Sequence, residues 1–423
     1  MKKVIIISSI FPYPVDNGKK VVLNGLLEYF KASKDHYDIK YVVVDNDLNI
    51  NDLNVDKENL EIVQFNQPKS IRKIFNAIWY SLIKREKSIQ ESMIFSPKIM
   101  NELNLFLENN QADMVIVDTI RIGQFLEKNR PFGHKYILYL DDLFSVRYNK
   151  MLEAYKSYPG ISLNSLGNFK KFIPNYLHFM VRSSFIEKCL LKFESCLIEK
   201  REKQIVKSFE HNLLINKDEV KRLRMKTNQE NIYEIKPLLP VISEETREYR
   251  QNKQFIFLGA LNIPHNNFSI INFIKTQMDK IIQLIPDCEI LVIGKNPSEE
   301  LMILAEKYKD NLKIEGYIED INKVFSESCA MLVPLLFGSG VKLKTLEAIS
   351  RGLPVIGTDY AFEGIDMIHP IHGILENNID NYPEIMKKLI DNRYNENLSK
   401  QAKNFFENQY SKEAIFKHYQ DLF

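Results

Sequence analysis

The sequence is poor in cysteine, and its few cysteines are scattered. The 423 residues include four, and no two of them form a C-x-x-C pair. Closely spaced cysteine pairs are typical of structural zinc sites, and dense cysteines are typical of small secreted domains held by disulfides. The spacing therefore predicts thiols that form neither a disulfide framework nor a zinc site. The four are Cys189, Cys196, Cys288 and Cys329.

An excess of either charge is also missing. The sequence contains 57 Lys and Arg residues against 55 Asp and Glu residues, which gives a formal net charge of +2. A protein that binds the phosphate backbone of nucleic acids needs a marked surplus of basic side chains. The balance predicts that nucleic acid is not a partner.

No apolar run approaches the ~20 residues of a transmembrane helix. The first apolar run, at residues 4–9, follows two lysines, as the apolar core of a signal peptide does. It is too short for one, and it continues into Pro12-Tyr13-Pro14 without a small-residue cleavage site. We therefore predict a buried first strand and a cytoplasmic protein.

What the sequence does contain is a regular alternation of short apolar runs with helical-looking stretches. Continuous apolar strands that alternate with helices predict parallel sheets covered on both faces, and two sets of them predict two doubly wound α/β domains. The predicted strands of the first half are Val4–Ser9, Tyr41–Asp45, Met114–Thr119, Tyr136–Leu140 and Leu213–Ile215. Those of the second half are Phe255–Leu258, Glu289–Ile293, Leu312–Glu315, Ala330–Leu335 and Pro354–Gly357.

The two sets of strands are separated by residues 236–253. This stretch contains Pro237 and Pro240 and a polar run at residues 243–247, and it lacks a strong periodicity. Such a composition is typical of a linker between domains. We therefore place a domain boundary near residue 240.

Two segments combine basic and aromatic residues. Residues 69–87 hold six Lys or Arg residues and a single acidic one, Glu86, interleaved with apolar side chains that include Trp79. Residues 169–193 hold five Lys or Arg residues against Glu187, again among aromatic residues. Basic helices rich in aromatic residues can lie on an anionic membrane surface. The alternative is a pair of amphipathic helices that pack on their own domain, and the sequence leaves both open.

The most informative stretch is residues 333–358, which read VPLLFGSGVKLKTLEAISRGLPVIGT. A strand is predicted to end at Leu335 and to be followed by the small-residue turn Gly338-Ser339-Gly340. A helix is predicted from about Val341 to Arg351, since Gly352 is a good C-terminal cap and Pro354 cannot continue a helix.

A glycine turn at a helix N-terminus exposes backbone N–H groups at the positive end of the helix dipole, which suits a diphosphate. Ser339 could cap the helix or bond a phosphate oxygen. Lys342 and Lys344 add positive charge, where acidic residues are more usual. Glu347 follows Gly340 by seven residues, about two helical turns, and its carboxylate could accept hydrogen bonds from vicinal hydroxyls.

The same residues also permit a plainer interpretation. Glu347 and Arg351 are spaced i, i+4, which is the spacing of an ordinary surface ion pair on a helix. Glycine-rich turns between a strand and a helix are frequent. From spacing alone, an anion site and an ordinary turn are about equally supported.

The sequence around this stretch resembles the donor-binding signature of the family 4 glycosyltransferases, which are retaining enzymes of the GT-B fold. The resemblance covers residues 255–365 well and the first half thinly, where it is closest to a polysaccharide-biosynthesis branch. Its motifs are specific only as a set. They are Phe255–Asn262, Ile293-Gly294, Glu315–Asp320 and Glu363–Ile365, with Phe11–Lys19 and Tyr139–Tyr148 in the first half.

The resemblance implies an α/β protein of the GT-B type, with two Rossmann-like doubly wound domains facing across a cleft. Residues 1–240 would form the acceptor-binding domain, and residues 241–403 would bind a nucleotide-sugar donor. The terminal helix, residues 404–423, would pack back on the first domain.

The resemblance also assigns roles to single residues. Glu347 matches the second glutamate of an E-x₇-E motif that holds the donor ribose, and amides near Gly340 would hold the diphosphate. The turn Gly316-Tyr317-Ile318 would lie beside the base, and Gly18 would admit the phosphates beneath the first loop. The expected donor-binding residues are Gly18, Gly259, Gly316, Tyr317, Ile318, Gly338, Ser339, Gly340, Val341 and Glu347. The expected catalytic residues are Lys342, Lys344, Glu347 and Asp141.

The sequence departs from the family pattern in three places. Ser339 replaces the first glutamate of E-x₇-E. The Arg and Lys that many members carry after the first donor-domain strand are replaced by Asn262 and by Asn266 or Asn267, so that Lys342 and Lys344 would have to supply the charge. No residue matches the acceptor-domain histidine. Asp118, Asp141 and Asp142 lie at strand ends instead, where they could cap helices or act in the site.

The implied function is hexosyl transfer with retention, from a nucleotide-sugar to a glycan or lipid-linked acceptor in surface polysaccharide biosynthesis. No cofactor is expected, and no metal either, because Asp141-Asp142 is not the D-x-D metal motif. The protein would act in the cytoplasm, with attachment to the inner face of the membrane left open. Two alternatives also remain open, a non-catalytic nucleotide-sugar binder of the same fold and a nucleotide-sugar epimerase. A dehydrogenase is disfavoured because the turn lacks the third glycine of G-x-G-x-x-G.

Overall fold

In the computed structural model the chain divides into two compact units. The first comprises Met1–Leu152, Ser165–Leu238 and Phe416–Phe423, and the second comprises Glu153–Asn164 and Leu239–Ile415. The structure describes residues 2–15, 17–33, 37–46, 48, 60–158, 161, 184–240, 247, 249–316, 318 and 321–423.

A parallel sheet forms the centre of the first unit, and in the described residues it has the strand order β3-β2-β1-β4-β5-β6-β7. Its strands are β1 (Lys2–Ser8), β2 (Tyr37–Val44), β3 (Leu60–Phe65), β4 (Met114–Asp118), β5 (Lys135–Asp141), β6 (His211–Leu214) and β7 (Ile232–Glu234). The central strands are apolar and buried on both faces, as the continuous runs predict.

Helices connect these strands. They are α1 (Gly18–Ala32), α2 (Ser70–Asn76), α3 (Ile89–Ile94), α4 (Pro97–Asn109), α5 (Thr119–Gly123), α6 (Phe144–Ser157), α7 (Ser184–Ile205) and α8 (Lys217–Thr227). A π-helix, Ala77–Ile83, continues α2, and the 3₁₀-helix Val206–Ser208 follows α7. Local caps set several of these starts, since Asn17 caps α1, Ser88 forms a capping box at α3 and Ser96 caps α4.

The second unit has a parallel sheet of its own, with the order β10-β9-β8-β11-β12-β13 in the described residues. Its strands are β8 (Gln254–Leu258), β9 (Glu289–Ile293), β10 (Leu312–Glu315), β11 (Ala330–Val333), β12 (Val355–Gly357) and β13 (Ile374–Leu375). Its helices are α9 (Pro264–Leu284), α10 (Glu299–Lys307), α11 (Asn322–Glu327), α12 (Leu343–Ser350), α13 (Asp359–Phe362), α14 (Tyr382–Leu389) and α15 (Asn392–Tyr410), with the 3₁₀-helix Ile379–Asn381 before α14. Helix α16 (Lys412–Leu422) ends the chain.

Each sheet reverses its strand order once. In the first, the chain runs outward from β1 to β3 and then returns to β4 beside β1; in the second, it runs from β8 to β10 and returns to β11 beside β8. At such a switch point the loops that leave the two central strands diverge and open a crevice at the carboxyl edge, where ligands bind in open α/β sheets. The loops after β1, β4, β8 and β11 are therefore the first places to look for a site.

The predicted α/β architecture of two Rossmann-like sheets is confirmed, and all ten predicted strands are present with shifts of a few residues at their ends. Three strands were not predicted, β3, β7 and β13. Each lies at the edge of its sheet, where a strand is paired on one side only and has less need of a continuous apolar run.

Several details differ from the expectation. Residues 153–164 group with the second unit rather than with the first. The terminal region is two helices, α15 and α16, and only Phe416–Phe423 belongs to the first unit. Of the second basic segment, residues 169–183 lie outside the described residues. Among the described helices, none is both long enough and apolar enough to cross a membrane.

Candidate functional site

The loop between β11 and α12 turns sharply through two glycines. Gly338 has φ +144° and Gly340 has φ +75°, backbone conformations that other residues rarely adopt. The ammonium of Lys342 closes the turn, because its Nζ donates to the carbonyl oxygens of Ser339 at 3.0 Å and Gly340 at 2.6 Å. The structure therefore gives Lys342 a clear part in holding the shape of this loop.

Helix α12 begins at Leu343, two residues later than the sequence indicates. Its N-cap is Lys342, with no side-chain cap. Of the two roles expected for Ser339, capping the helix is therefore wrong, and bonding a phosphate oxygen stays a prediction. Residues 340–342 are not helical because Gly340 has a positive φ. The seven-residue spacing from Gly340 to Glu347 therefore does not measure two helical turns.

The backbone of this loop offers unused donors. In the described part of the chain, the N–H groups of Gly338, Ser339, Gly340 and Val341 donate no hydrogen bond to another protein group. Gly340 is nevertheless buried. Buried N–H groups are costly to leave without an acceptor. A loop of this kind beside a helix N-terminus provides donors for an anion.

Lys344 lies in the first turn of α12, and its side chain extends to Asn266 near the start of α9. Its Nζ donates to Oδ1 of Asn266 at 2.9 Å and lies 4.6 Å from the centre of the Phe257 ring. Burial, with the nearby charge of Lys342, lowers the pKa of Lys344 to about 7. An anion bound here would stabilise the charged form of Lys344, since an opposite charge favours it.

Asn266 is fixed by the loop that leaves β8. Its Nδ2 donates to the carbonyl of Ala260 at 3.1 Å. Gly259 makes room for it, because a Cβ at Gly259 would lie 2.8 Å from that Nδ2. A Cβ at Gly294, at the end of β9, would lie only 2.0 Å from the carbonyl oxygen of Gly259. The two glycines allow the chain after β8 to lie close to Asn266 and to the chain after β9.

Glu347 lies on α12 with its side chain 37% exposed. Burial raises the pKa of its carboxyl group, and Arg351 partly opposes this shift. The i, i+4 pair is present, with Arg351 Nη1 3.5 Å from Glu347 Oε1, and Arg351 also donates through Nε to Asn322 at 2.7 Å. Glu347 is thus partly exposed and also lies beside the guanidinium of Arg351.

The other predicted donor-binding residues lie around this loop or outside it. Ser339 and Val341 are partly buried in the loop, and Gly316 is exposed at the end of β10 with Ile318 partly buried after it. Tyr317 lies outside the described residues. Gly18 is the first residue of α1 and Asp141 is the last residue of β5. Both lie in the first unit.

One residue beside the loop was missed from the sequence. His265, near the start of α9, has its Cγ 3.8 Å from the position of a Cβ on Gly338, and its ring packs edge-on against Phe337. The signal available in the sequence was its place directly after Pro264, at the start of a helix that follows a central strand.

The switch point of the first unit carries a buried charged cluster. The ammonium of Lys19 forms an ion pair with Asp118 at the end of β4, and its Nζ lies 3.4 Å from Oδ2 of Asp141 at the end of β5. Ser8, at the end of β1, donates through Oγ to Asp118 at 2.7 Å. Tyr139 donates through its hydroxyl to Asp141 at 2.8 Å.

Two cations lie near Asp141, and Asp142 lies next to it in the chain. Although burial opposes it, the ammonium of Lys19 and the guanidinium of Arg147 hold the pKa of Asp141 below its usual value. Asp142 turns away and accepts from Arg147 Nε at 2.9 Å, and burial raises the pKa of Asp142. Asp118 and Asp141 are thus brought together by Lys19, while Asp142 belongs to a separate pair.

Two residues of this edge have left-handed backbones. Thr119 has φ +63° and Asp141 has φ +73°. A β-branched residue at positive φ is a genuine outlier, and such strain concentrates at functional sites. The sequence singled out Asp118 and Asp141 by their place at strand ends, but gave no role to Lys19, Ser8 or Thr119.

The chain is similar to known proteins, over part of its second unit in one comparison and over most of its length in another. Residues 252–392 match the family described as Glycosyl transferases group 1. A Klebsiella pneumoniae protein described as an uncharacterized 44.6 kDa protein in the cps region is 22% identical over 380 residues, covering 87% of this chain and 86% of the relative. A phosphatidyl-myo-inositol mannosyltransferase of Mycolicibacterium smegmatis is 25% identical over 112 residues, covering 26% of this chain and 28% of the relative.

The fold is also similar to solved structures. The crystal structure of TarM superposes with a TM-score of 0.68 at 10% identity, covering 100% of this chain and 98% of TarM. An S. aureus TarM mutant in complex with Fondaparinux, alpha-GlcNAc-glycerol and UDP gives a TM-score of 0.65 at the same identity, with coverage of 100% and 99%. Residues 252–392 are thus similar to glycosyl transferases group 1, the chain has the GT-B fold, and these matches together support a glycosyltransferase of glycan biosynthesis.

Proposed function

We propose that this protein is a retaining glycosyltransferase of family 4. It would move a hexosyl group from a nucleotide-sugar to a glycan or lipid-linked acceptor in surface polysaccharide biosynthesis. The observation that carries the proposal is the loop at residues 338–344. It combines backbone N–H groups that find no acceptor among the described residues with a lysine of depressed pKa, at the switch point of the matched domain.

The donor diphosphate would bind to the N–H groups of Gly338–Val341 and to the ammonium of Lys344. Hydrogen bonds from Lys342 hold the loop and Asn266 holds the ammonium of Lys344, so these donors would need little reorganisation when charge develops on the leaving group. Glu347 would hold the ribose hydroxyls, and residues 316–318 would lie beside the base. The presence of UDP in the TarM complex supports a nucleoside diphosphate as the leaving group.

The transfer step would break the bond between the anomeric carbon and the diphosphate oxygen, and the electron pair would stay on that oxygen. The acceptor hydroxyl would attack from the same face, and its proton would pass to the departing phosphate. Protonated Lys344 would stabilise the growing negative charge, while Lys342 keeps the loop in shape. Positioning and electrostatic stabilisation are then the main contributions of the protein.

We propose that this step needs no metal ion. In sequence, the pair Asp141-Asp142 comes closest to the D-x-D metal motif. Both carboxylates already lie beside cations, Asp141 beside Lys19 and Asp142 beside Arg147. Activity is therefore expected to be unchanged by EDTA. Restoration of activity by Mg²⁺ or Mn²⁺ after EDTA treatment would contradict this part of the proposal.

The acceptor is proposed to bind to the first unit, beside Asp141, whose side chain is 19% exposed at the end of β5. Carboxylates at strand ends can accept hydrogen bonds from sugar hydroxyls. The similarity to a protein of the cps region supports a polysaccharide acceptor. We propose that the enzyme works on the cytoplasmic side of the membrane, where nucleotide-sugars would be available.

The proposal is tested by incubating the protein with a panel of UDP-, GDP-, CMP- and TDP-sugars and an acceptor glycan. Release of a nucleoside diphosphate and the anomeric configuration of the product, read by NMR, are measured. A product with the donor's configuration is expected. Inversion would contradict retention, nucleotide binding without release would favour a non-catalytic binder, and conversion of the donor sugar without acceptor would favour an epimerase.

A further inference from the structure

The helical segment Ser70–Ile83, made of α2 and the π-helix, buries polar residues and exposes apolar ones, which is the reverse of a helix that packs on a core. Its buried residues include the polar Lys73, Asn76 and Ser81. Six of its apolar residues face outward. The exposed fractions are 86% for Ile71, 61% for Phe75, 60% for Ile83, 50% for Leu82, 46% for Ile78 and 40% for Trp79. We call these six residues the apolar face.

Hydrogen bonds fix this orientation. Asn76 donates through Nδ2 to the carbonyl of Phe95 at 2.7 Å, and Lys73 donates through Nζ to Oε1 of Gln67 at 2.7 Å. Ser81 donates through Oγ to Oγ of Ser92 at 2.9 Å. Rotating the segment to bury its apolar side chains would break all three bonds and leave buried polar groups without partners. The apolar face is therefore a stable feature of the folded unit.

The apolar face is continuous and includes stacked aromatic rings. The rings of Phe75 and Trp79, one helical turn apart, stack with an interplanar angle of 7°. At 1.5 Å per residue the fourteen-residue segment is about 20 Å long. A contiguous apolar patch on this scale usually marks a surface that binds a partner or a membrane.

Positive charge borders the apolar face. Lys69, Arg72, Lys84 and Arg85 are all exposed, and in the described part of the chain none of them forms a salt bridge. Glu86 is the only acidic residue among residues 69–87. The ammonium of Lys84 lies 5.7 Å from the centre of the Trp79 ring, so charge and aromatic surface are presented together.

We infer that the apolar face and its basic border bind the surface of an anionic lipid bilayer. Apolar side chains at the level of the lipid headgroups, with Lys and Arg beside them, are the arrangement of an interfacial helix, and Trp prefers that depth. The charge complementarity selects an anionic bilayer over an uncharged apolar partner. The inference does not depend on the proposed transfer activity, since it concerns a different surface.

The chain provides its own probe, because Trp79 is the only tryptophan in 423 residues. The full-length protein is mixed with vesicles of phosphatidylcholine alone or of phosphatidylcholine and phosphatidylglycerol in equal amounts. A blue shift of the emission is expected with the anionic vesicles only, with quenching by brominated acyl chains. Raising the salt concentration should weaken binding, since screening shortens the reach of surface charge.

Two sets of variants separate the apolar and the electrostatic contributions. Phe75→Ser with Leu82→Ser should abolish the blue shift without unfolding the protein, because both side chains are exposed. Lys84→Gln with Arg85→Gln should weaken partitioning more than tenfold, at about fivefold per lost cation. The matched controls, expected to bind as the wild type does, are Ile303→Ser, at an exposed position of the second unit, and Lys98→Gln with Lys221→Gln.

Three results would overturn the inference. Emission unchanged by either vesicle would show that the bilayer does not cover this face. Equal binding to both vesicles, with no effect of the charge variant, would remove the role of anionic lipid. Sedimentation as a dimer that Ile71→Ser converts to a monomer, without vesicle binding, would assign the face to a second copy of the chain.

Discussion

The ammonium of Lys344 donates to the side-chain oxygen of Asn266 across a distance of 2.9 Å. The resemblance to family 4 glycosyltransferases implies that Asn266 or Asn267 stands where many members carry a cation after the first strand of the donor domain. The contact brings a cation from α12 to that same place. Lys344 of α12 thus lies beside a position where the resemblance would place a cation.

The depressed pKa of Lys344 predicts a pH dependence of donor affinity. With a pKa of about 7, Lys344 is charged below that pH and increasingly neutral above it. A diphosphate favours the charged form, so binding takes up a proton above pH 7, and affinity should fall by up to tenfold per pH unit there. Calorimetric titration with the nucleotide-sugar at pH 6 to 9 measures this.

Two variants control that experiment. Lys344→Met should bind the donor about tenfold to a hundredfold more weakly, the range expected for losing a hydrogen bond to a charged group. Its residual affinity should not depend on pH through this group. Lys344→Arg keeps the charge at every pH and should flatten the profile. A wild-type affinity that is constant from pH 6 to 9 would contradict the assignment.

Gly259→Ala tests whether Asn266 positions Lys344. The new methyl group would lie within 3 Å of the Asn266 side-chain amide, which would have to move and take Lys344 with it. We expect weaker donor binding and a loss of about 1 kcal/mol in the free energy of unfolding. For stability the control is Gly316→Ala, whose methyl group would meet nothing within 4 Å. Unchanged donor affinity in Gly259→Ala would remove Asn266 from the site.

The buried carboxyl group of Glu202 should make the free energy of unfolding depend on pH. Its carboxyl group is buried on α7 and bonded to Ser145, and burial raises its pKa to about 8. Between pH 4.5, the usual pKa of a glutamate, and pH 8 the folded protein binds more protons at Glu202 than the unfolded chain does. The contribution of Glu202 to the free energy of unfolding therefore falls as the pH rises through that window. Glu202→Gln should remove this slope, with a relative gain of a few kcal/mol at pH 8.

Urea unfolding at pH 5 and pH 8 measures the effect. The control is Glu306→Gln, at an exposed position of α10, which should leave the slope as it is in the wild type. If Glu202→Gln and the wild type lose stability equally between the two pH values, Glu202 is not the group that titrates.

Removing a charge from the buried cluster at the switch point of the first unit should lower the free energy of unfolding more than removing a charge from an exposed pair. Lys19→Met leaves Asp118 and Asp141 without their shared cation at a buried site, and we expect a loss of about 3 kcal/mol. Lys98→Met removes one partner of an exposed i, i+4 pair and should cost less than about 0.5 kcal/mol. The double variant Lys19→Met with Asp118→Asn should recover part of the loss. Equal costs for Lys19→Met and Lys98→Met would contradict the importance of this cluster for stability.

The sequence predicted the sheets well because their central strands are buried on both faces and therefore read as apolar runs. β9 was predicted with the bounds that the structure shows, and so was β10, although β10 lies at the edge of its sheet. The edge strands β3, β7 and β13 were missed because they are short or only partly buried. Alternation and burial thus reveal the centre of a sheet more readily than its edges.

The site was only partly predictable. The glycine turn was found because positive φ angles require glycine at Gly338 and Gly340, which leaves a mark in the sequence. The hydrogen bond between Lys344 and Asn266 connects residues 78 positions apart, and no feature of the sequence indicates it. The late start of α12 was missed because nothing in the sequence shows that Gly340 turns the chain away from the helix.

The most direct test of the account is a thermal-shift titration of the purified protein with UDP, GDP, CMP and TDP. Ligand at about 100 times its dissociation constant should stabilise the protein by about 2.7 kcal/mol, which is readily seen. We predict a shift with one nucleoside diphosphate, lost in Glu347→Ala and kept in Glu306→Ala. A folded protein that none of these nucleotides stabilises, or a shift that survives Glu347→Ala unchanged, would contradict the donor site proposed at this loop.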